Sequence, residues 1–256
     1  MPRLLMNKPA KILCYRCPWL VALLLTLFIS ACSNTSTISN SAAQATHTPK
    51  TPSISRVHLP TGPITYVALG ASDAVGVGSN QPGSQGYVPL IAAHLPKGSH
   101  LLNLGISGIH VHEALTQELP LALSISPDLV TIWLVANDFV GGVSYNDYIH
   151  DLNILLGQLR TNTRATLVMA NLPDLTRLPA FSGLSATQKT RALQQIQRWN
   201  AGIATLVARY NVTMVDLYSH GSQLTAHPEY ISGDGFHPSP AGYVQLANLF
   251  WQAIQG

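Results

Sequence analysis

The 256 residues are 46% apolar and only 10% charged, a balance that supplies a sizeable core and excludes a chain that is disordered throughout. The formal charge of +3 is concentrated at one end: Arg3, Lys8, Lys11 and Arg16 precede residue 32, where no acid occurs, which leaves ten basic against eleven acidic groups in the rest. A near-neutral body gives no electrostatic footing for nucleic acid or for an anionic membrane surface.

The N-terminal segment reads as an export signal: a basic start, an apolar run from Trp19 to Ile29, then small residues. That run is shorter than the roughly 20 residues a spanning helix needs. Ile29-Ser-Ala-Cys32 resembles a bacterial lipobox, which predicts removal of residues 1–31 and lipidation of Cys32 as the new N-terminus. The alternative is an ordinary signal peptide with an incidental cysteine. Cys14 and Cys17 have redox or metal spacing, but they lie inside the signal and lack a second pair. Residues 32–60 are rich in Ser, Thr, Asn, Ala, Gln and Pro without apolar periodicity, a polar tether. Residues 61–256 are then one domain.

In that domain Ile64 to Leu69 is an apolar run of the kind that makes a buried parallel strand, and it breaks at Gly70 into Ala71, Ser72, Asp73, Ala74, Gly76 and Gly78. A serine in that place is either an N-cap of the next helix or a hydroxyl held out at the carboxyl edge of a sheet. Apolar spacing predicts a helix over 87–95, a strand over 101–104, a helix over 112–123 interrupted or kinked at Pro120, and a strong strand over 128–135. An amphipathic helix over 146–160, a strand over 166–170, a long helix over 187–210, a strand over 212–217 and a final helix over 240–254 follow. Such alternation calls for a flavodoxin-like, three-layer α/β/α sandwich around a five-stranded parallel sheet.

A parallel sheet brings the residues that follow its strands to one edge. Here these are Ser72, Gly105, Asn137 with Asp138, and the loop from Ser232 to Pro238, which holds Asp234 and His237. They form a parts list for acyl transfer by an activated serine. Ser72 needs a base, for which His237 is the candidate; the imidazole needs an acceptor, which Asp234 can supply. The amides of Ser72 and Gly105 and the side chain of Asn137 are candidate donors to an oxyanion, each such donor typically contributing about 3–4 kcal/mol to the barrier. Taken alone, Asp234 and His237 also suit a turn aspartate and a surface histidine. Asn137 and Asp138 also suit helix caps, and Gly105 a plain turn. Val135, Phe139 and Phe236, beside these residues, are candidates for lining a substrate pocket, with loop anchoring as the alternative. His110 and His112 have metal spacing but no third ligand near in sequence. Gly76 and Gly78 evoke a phosphate loop without its lysine. Trp133, Trp199 and Trp251 read as packing residues. No metal and no cofactor is called for.

These blocks resemble the SGNH, or GDSL-type, hydrolase superfamily over about residues 64–254. The resemblance lies in Leu69-Gly-Ala-Ser-Asp73, Asn103-Leu-Gly-Ile-Ser-Gly108, Val135-Ala-Asn-Asp138 and Asp234-Gly-Phe-His-Pro238. It implies Ser72 as nucleophile, His237 as base, Asp234 as its orienting acid, and Gly105 and Asn137 as oxyanion donors. Two positions depart from the pattern: Ala71 stands where the family usually has Asp, and Val135 where it usually has Gly. The expected activity is hydrolysis of carboxylic esters (short acyl, acetylated glycan or lipid esters) through an acyl-enzyme, outside the cytoplasm, on a membrane-anchored lipoprotein. The alternatives are a non-catalytic glycan- or lipid-binding lipoprotein on the same scaffold, or an acyltransferase that uses the same residues.

Overall fold

The computed structural model describes residues 59–256. The export signal, Cys14, Cys17, the lipidation site Cys32 and nearly all of the polar tether therefore lie outside the described residues.

Five strands form the sheet: β1 (Thr65–Gly70), β2 (His100–Asn103), β3 (Leu129–Trp133), β4 (Thr166–Ala170) and β5 (Thr213–Val215). All pairings are parallel, in the order β2-β1-β3-β4-β5. This is the flavodoxin-like order, whose connections reverse direction between β1 and β3. The register sets Gly70 beside Trp133 and Ala68 beside Asn103, so the loops after β1, β2 and β3 leave the sheet side by side. β3 and β4 are buried along their whole length, which explains why they read as unbroken apolar runs.

Ten helices accompany the strands among the described residues: α1 (Ser72–Val75), α2 (Pro82–Gln85), α3 (Tyr87–Ala92), α4 (Val111–Gln117), α5 (Leu119–Ser124), α6 (Ala136–Val140), α7 (Tyr145–Asn162), α8 (Ala186–Arg209), α9 (Gly221–Ala226) and α10 (Pro240–Gln255). α3 and α10 pack on each other; α4, α5, α7 and α8 pack as a second group, which gives the outer layers of the sandwich. α7 buries Tyr148, Leu152, Leu155, Leu156 and Leu159. Its N-cap Ser144 accepts from the Asp147 amide at 3.1 Å, and Asp147 and Arg160 sit at the ends that the helix dipole favours. α8 opens with a reciprocal cap, the Gln188 amide donating to Ser185 Oγ and the Ser185 amide to Gln188 Oε1.

Three differences from the sequence reading bear on the site. The interruption expected at Pro120 in the helix over 112–123 is a full break, placed earlier, at Glu118, because Pro120 near the start of α5 has no N–H to continue the ladder and its ring clashes with the preceding turn. The short helices α1, α2, α6 and α9 were not foreseen. Nor were three single turns of 3-10 helix at Leu175–Arg177, Pro179–Phe181 and Pro228–Tyr230. No helix of the described residues is long and apolar enough to cross a membrane.

α10 is fastened to α3 by aromatic stacking on Tyr87. Phe250 lies 5.1 Å and Tyr243 6.5 Å from Tyr87, ring centre to ring centre. Phe250 is fully buried whereas Val244 on the same helix is 44% exposed. Phe250→Ala should therefore lower stability by about 3–5 kcal/mol, and Val244→Ala by no more than about 0.5 kcal/mol, as read from urea unfolding midpoints.

Candidate active site

The site begins where β1 ends. Gly70 allows the turn because a Cβ there would stand 2.7 Å from the Ala74 side chain. Ser72 then takes the first position of α1, behind Ala71 as N-cap. It is thus not the cap that serine propensity suggested, and its own amide points from a helix start where no intrahelical acceptor exists. Ser72 is buried, its hydroxyl turned to His237: Ser72 Oγ and His237 Nε2 are 2.9 Å apart.

His237 is delivered by a closed loop. The Ser232 amide donates to the His237 carbonyl at 2.8 Å, Ile231 and Pro238 form an antiparallel bridge, and Gly235 turns the chain at φ 76°. On the other side of the imidazole, Nδ1 donates to Asp234 Oδ2 at 2.6 Å. Asp234 Oδ1 meanwhile accepts from the Ser232 hydroxyl and from the amides of Phe236 and His237, at 2.8, 2.8 and 3.0 Å. Burial would push the Asp234 carboxyl up, but the His237 ring and these further donors outweigh it and hold the group well below the usual carboxylate range. It stays ionised, and its charge keeps a proton on Nδ1 and leaves the Nε2 lone pair facing the hydroxyl.

The serine and histidine loops touch through backbone. A side chain at Gly78 (φ 97°) would overlap the Pro238 carbonyl and crowd His237, which explains a glycine the sequence only likened to a phosphate loop. Tyr243 of α10 donates its hydroxyl to the Val77 carbonyl.

The expected oxyanion donors are present, two of them already engaged. The Gly105 amide donates to Asn103 Oδ1 at 3.1 Å, and Asn103 Nδ2 donates to the Ala74 carbonyl at 2.6 Å. Gly105 lies against the serine turn, its missing side chain making room for Ala74 and the Ala71 carbonyl. Asn137 Nδ2 spends one hydrogen on the Ile109 carbonyl at 3.0 Å, and a second hydrogen remains on that nitrogen. Asp138 is buried and accepts from the Val111 amide at 3.2 Å on both oxygens, so it ties α6 to the start of α4. Burial, opposed by the Val111 amide and His110, raises it to about 6.

A cavity of about 310 Å³ adjoins this edge, walled in part by Asp73, Trp133, Ala136, Phe236 and Pro238. Of the three expected pocket residues only Phe236 lines it, its ring edge-on to His237 at 5.1 Å. Val135 and Phe139 do not. Val135, two residues past β3 and the N-cap of α6, lies inside the core at 1% exposure. Phe139 turns toward the helical layer, where it meets Trp199 of α8 edge-on at 5.4 Å. His110 and His112 serve α4: the His110 amide donates to Glu113 at 3.2 Å and His112 pairs with Asp151 at 3.0 Å. The described residues hold no group of three or more His, Cys, Asp or Glu arranged for a metal ion.

The chain matches the model of the GDSL-like lipase/acylhydrolase family over residues 68–245. It belongs to that family. It is accordingly a serine ester hydrolase. Solved structures with the same fold include TesA, at 23% identity and a TM-score of 0.59, covering 75% of this chain and 98% of that one. LAE5, an α/β hydrolase from the metagenome of Lake Arreo, gives 19%, 0.61, 75% and 95%. Axe2, an acetylxylan esterase from Geobacillus stearothermophilus, gives 19%, 0.60, 76% and 96%. No curated protein sequence gives a significant match.

The family's usual Asp before the serine is Ala71 here, and a carboxylate from elsewhere supports the turn. Glu118, at the break between α4 and α5, is completely buried and accepts from the Gly70 amide at 3.2 Å. The Ile106 amide also contributes to its stabilisation, so Glu118 stands between the β1 turn that carries Ser72 and the β2 turn that carries Gly105. Nothing in the sequence marked it, since an acid between Gln117 and Leu119 reads as a helix surface. Burial, only partly offset by these amides, raises its carboxyl from 4.5 to about 8. A raised carboxyl binds its proton more tightly in the folded state, so its contribution is full below pH 4.5 and is lost as pH rises through about 8. Glu118→Gln keeps the acceptor and cannot ionise. Between pH 6 and 8 its stability should lack a fall, present in the parent, that approaches about 1.4 kcal/mol per pH unit. Parallel urea titrations of the two proteins measure the difference. Glu118→Leu, which leaves the Gly70 amide buried and unpaired, should cost about 1–3 kcal/mol.

Proposed function

We propose that this hydrolase cleaves carboxylic esters outside the cytoplasm through an acyl-enzyme on Ser72, tethered to the membrane by lipid on Cys32. The observation that carries the chemistry is the unbroken relay from Asp234 Oδ2 to His237 Nδ1 and from His237 Nε2 to Ser72 Oγ, at 2.6 and 2.9 Å.

In this reading Ser72 Oγ attacks the ester carbonyl carbon while its proton passes to His237 Nε2. The imidazolium formed is stabilised by the ionised Asp234. The carbonyl oxygen, now negative, is met by the Ser72 amide at the start of α1 and by the second hydrogen of Asn137 Nδ2, with the Gly105 amide joining them on leaving Asn103 Oδ1. His237 then returns the proton to the departing alkoxide, the C–O bond breaks and the acyl group stays on Ser72. A water molecule, deprotonated by the same nitrogen, repeats the attack and frees the carboxylic acid. Location and anchoring are supported by the basic start, the apolar run and the cysteine at position 32.

Hydrolysis of 4-nitrophenyl acetate and octanoate by the purified protein tests the chemistry. Ser72→Ala and His237→Ala should each lower kcat by at least about a thousandfold, and the double variant should be no worse than either alone. Turnover by Ser72→Ala at the parent rate would rule out the serine mechanism. For the anchor, the parent protein should sediment with membranes and require detergent for release, and Cys32→Ala should be recovered in the soluble fraction; a variant still in the membrane pellet contradicts lipidation at Cys32.

A further inference from the structure

The cavity beside the site is built for more than an acetyl group. Its near wall consists of Asp73, Ala136, Phe236 and Pro238, the immediate chain neighbours of Ser72, of Asn137 and, on both sides, of His237. The far wall is formed by Leu175, Leu178, Leu217, Leu224, Leu246 and Leu249. A volume of about 310 Å³ falls within the range of small-molecule ligand pockets and far exceeds what an acetyl group needs. Apolar depth of this kind suits a medium-length alkyl chain.

His220, Gln223, Tyr230 and Gln245 also line the cavity, and beside the serine Asp73 contradicts a plain alkyl occupant. Asp73 is 7% exposed, yet among the described residues no other residue donates a hydrogen bond to its carboxyl. Each other buried acid has a donor: Gly70 for Glu118, Val111 for Asp138, His112 for Asp151, and Thr176 with Arg177 for Asp174. A buried carboxyl without a donor carries a desolvation cost that a ligand hydroxyl would offset. Trp133 lines the same wall, but its unpartnered indole N–H is sealed off from the cavity, which leaves the Asp73 carboxyl as the acceptor there. An acceptor amid leucines suits a neutral hydroxyl better than an ammonium group, whose charge the apolar lining would leave poorly solvated. Asp73 feels the charge of His237 and shares the cavity wall with Phe236, whose ring meets that imidazole edge-on at 5.1 Å, so a group that meets Asp73 lies close to the carbonyl that Ser72 attacks.

We propose that this hydrolase selects esters whose acyl chain is of medium length and carries a hydroxyl on its second or third carbon, the hydroxyl donating to Asp73 and the alkyl remainder filling the leucine-walled cavity. This rests on the acyl-enzyme reading above. The bland role for Asp73 is to favour the start of α1 by its charge, and that role would change all substrates alike.

The test compares 4-nitrophenyl octanoate with 4-nitrophenyl 3-hydroxyoctanoate. For the parent protein kcat/KM should favour the hydroxy ester roughly tenfold or more, the effect of one hydrogen bond to a charged group. Asp73→Leu should abolish or invert the ratio, and Asp73→Asn should leave it intermediate. Equal kcat/KM for the two esters in the parent protein, or a ratio that Asp73→Leu leaves unchanged, overturns the selectivity while the esterase reading stands; turnover of neither ester overturns both. A dependence on Asp73 seen only when the hydroxyl is on the alcohol, as with octanoyl monoesters of 1,2-octanediol against octanol esters, overturns the assignment to the acyl side. Should the variants not fold, product inhibition of the parent decides: 3-hydroxyoctanoic acid should bind roughly tenfold more tightly than octanoic acid, and equal inhibition refutes the proposal.

Discussion

Ser72 and His237 are 165 positions apart in the chain and 2.9 Å apart in space, and the contact depends on a parallel sheet whose strands all end at one edge. The register of β1 against β3, which pairs Gly70 with Trp133, puts the serine turn and the start of α6 next to each other across the point where the connections reverse. A one-residue slip would invert the faces of β1 and carry the serine turn out of line. The histidine loop belongs to no strand of the sheet. It is held instead by its own closed hydrogen bonds, by α10 behind it, and by the bare backbone of Gly78 in front.

Around the serine turn stand three acids, Glu118 and Asp73 buried and Asp234 exposed, and their surroundings separate them. Asp234 has the imidazole and three further donors and stays ionised. Glu118 has backbone amides only and holds its proton up to about pH 8. Asp73 lies between these cases: burial raises it to about 6 against the pull of His237 and of its own amide, with the charge of Asp234 adding to the rise. The same functional group thus serves as orienting anion, as neutral brace and as cavity wall, according to the number of donors that face it.

Much of the fold was legible because buried parallel strands leave a continuous apolar trace. The strand read over 166–170 coincides with β4, and the amphipathic spacing of residues 146–160 falls within α7. Legible in the site were Ser72, Gly105 and Asn137, placed by the ends of strands, and Asp234 with His237, carried by the Gly-rich loop before α10. What the sequence concealed depends on direction rather than position. Val135 and Phe139 adjoin site residues in the chain, yet one points into the core and the other toward Trp199. Glu118 was hidden for a related reason: an acid beneath two turns has the same letters around it as an acid on a helix surface. Short helices such as α1 and α6, four and five residues long, are too brief for periodicity to register.

The attachment of α10 has a consequence for when the enzyme becomes active. This helix starts three residues after His237, with Ser239 Oγ donating to the Glu229 carbonyl at 2.6 Å and Tyr243 reaching back to Val77. His237 follows Ser72 by 165 positions, so a growing polypeptide carries an unactivated hydroxyl until the histidine loop and α10 have been made and have docked beside it.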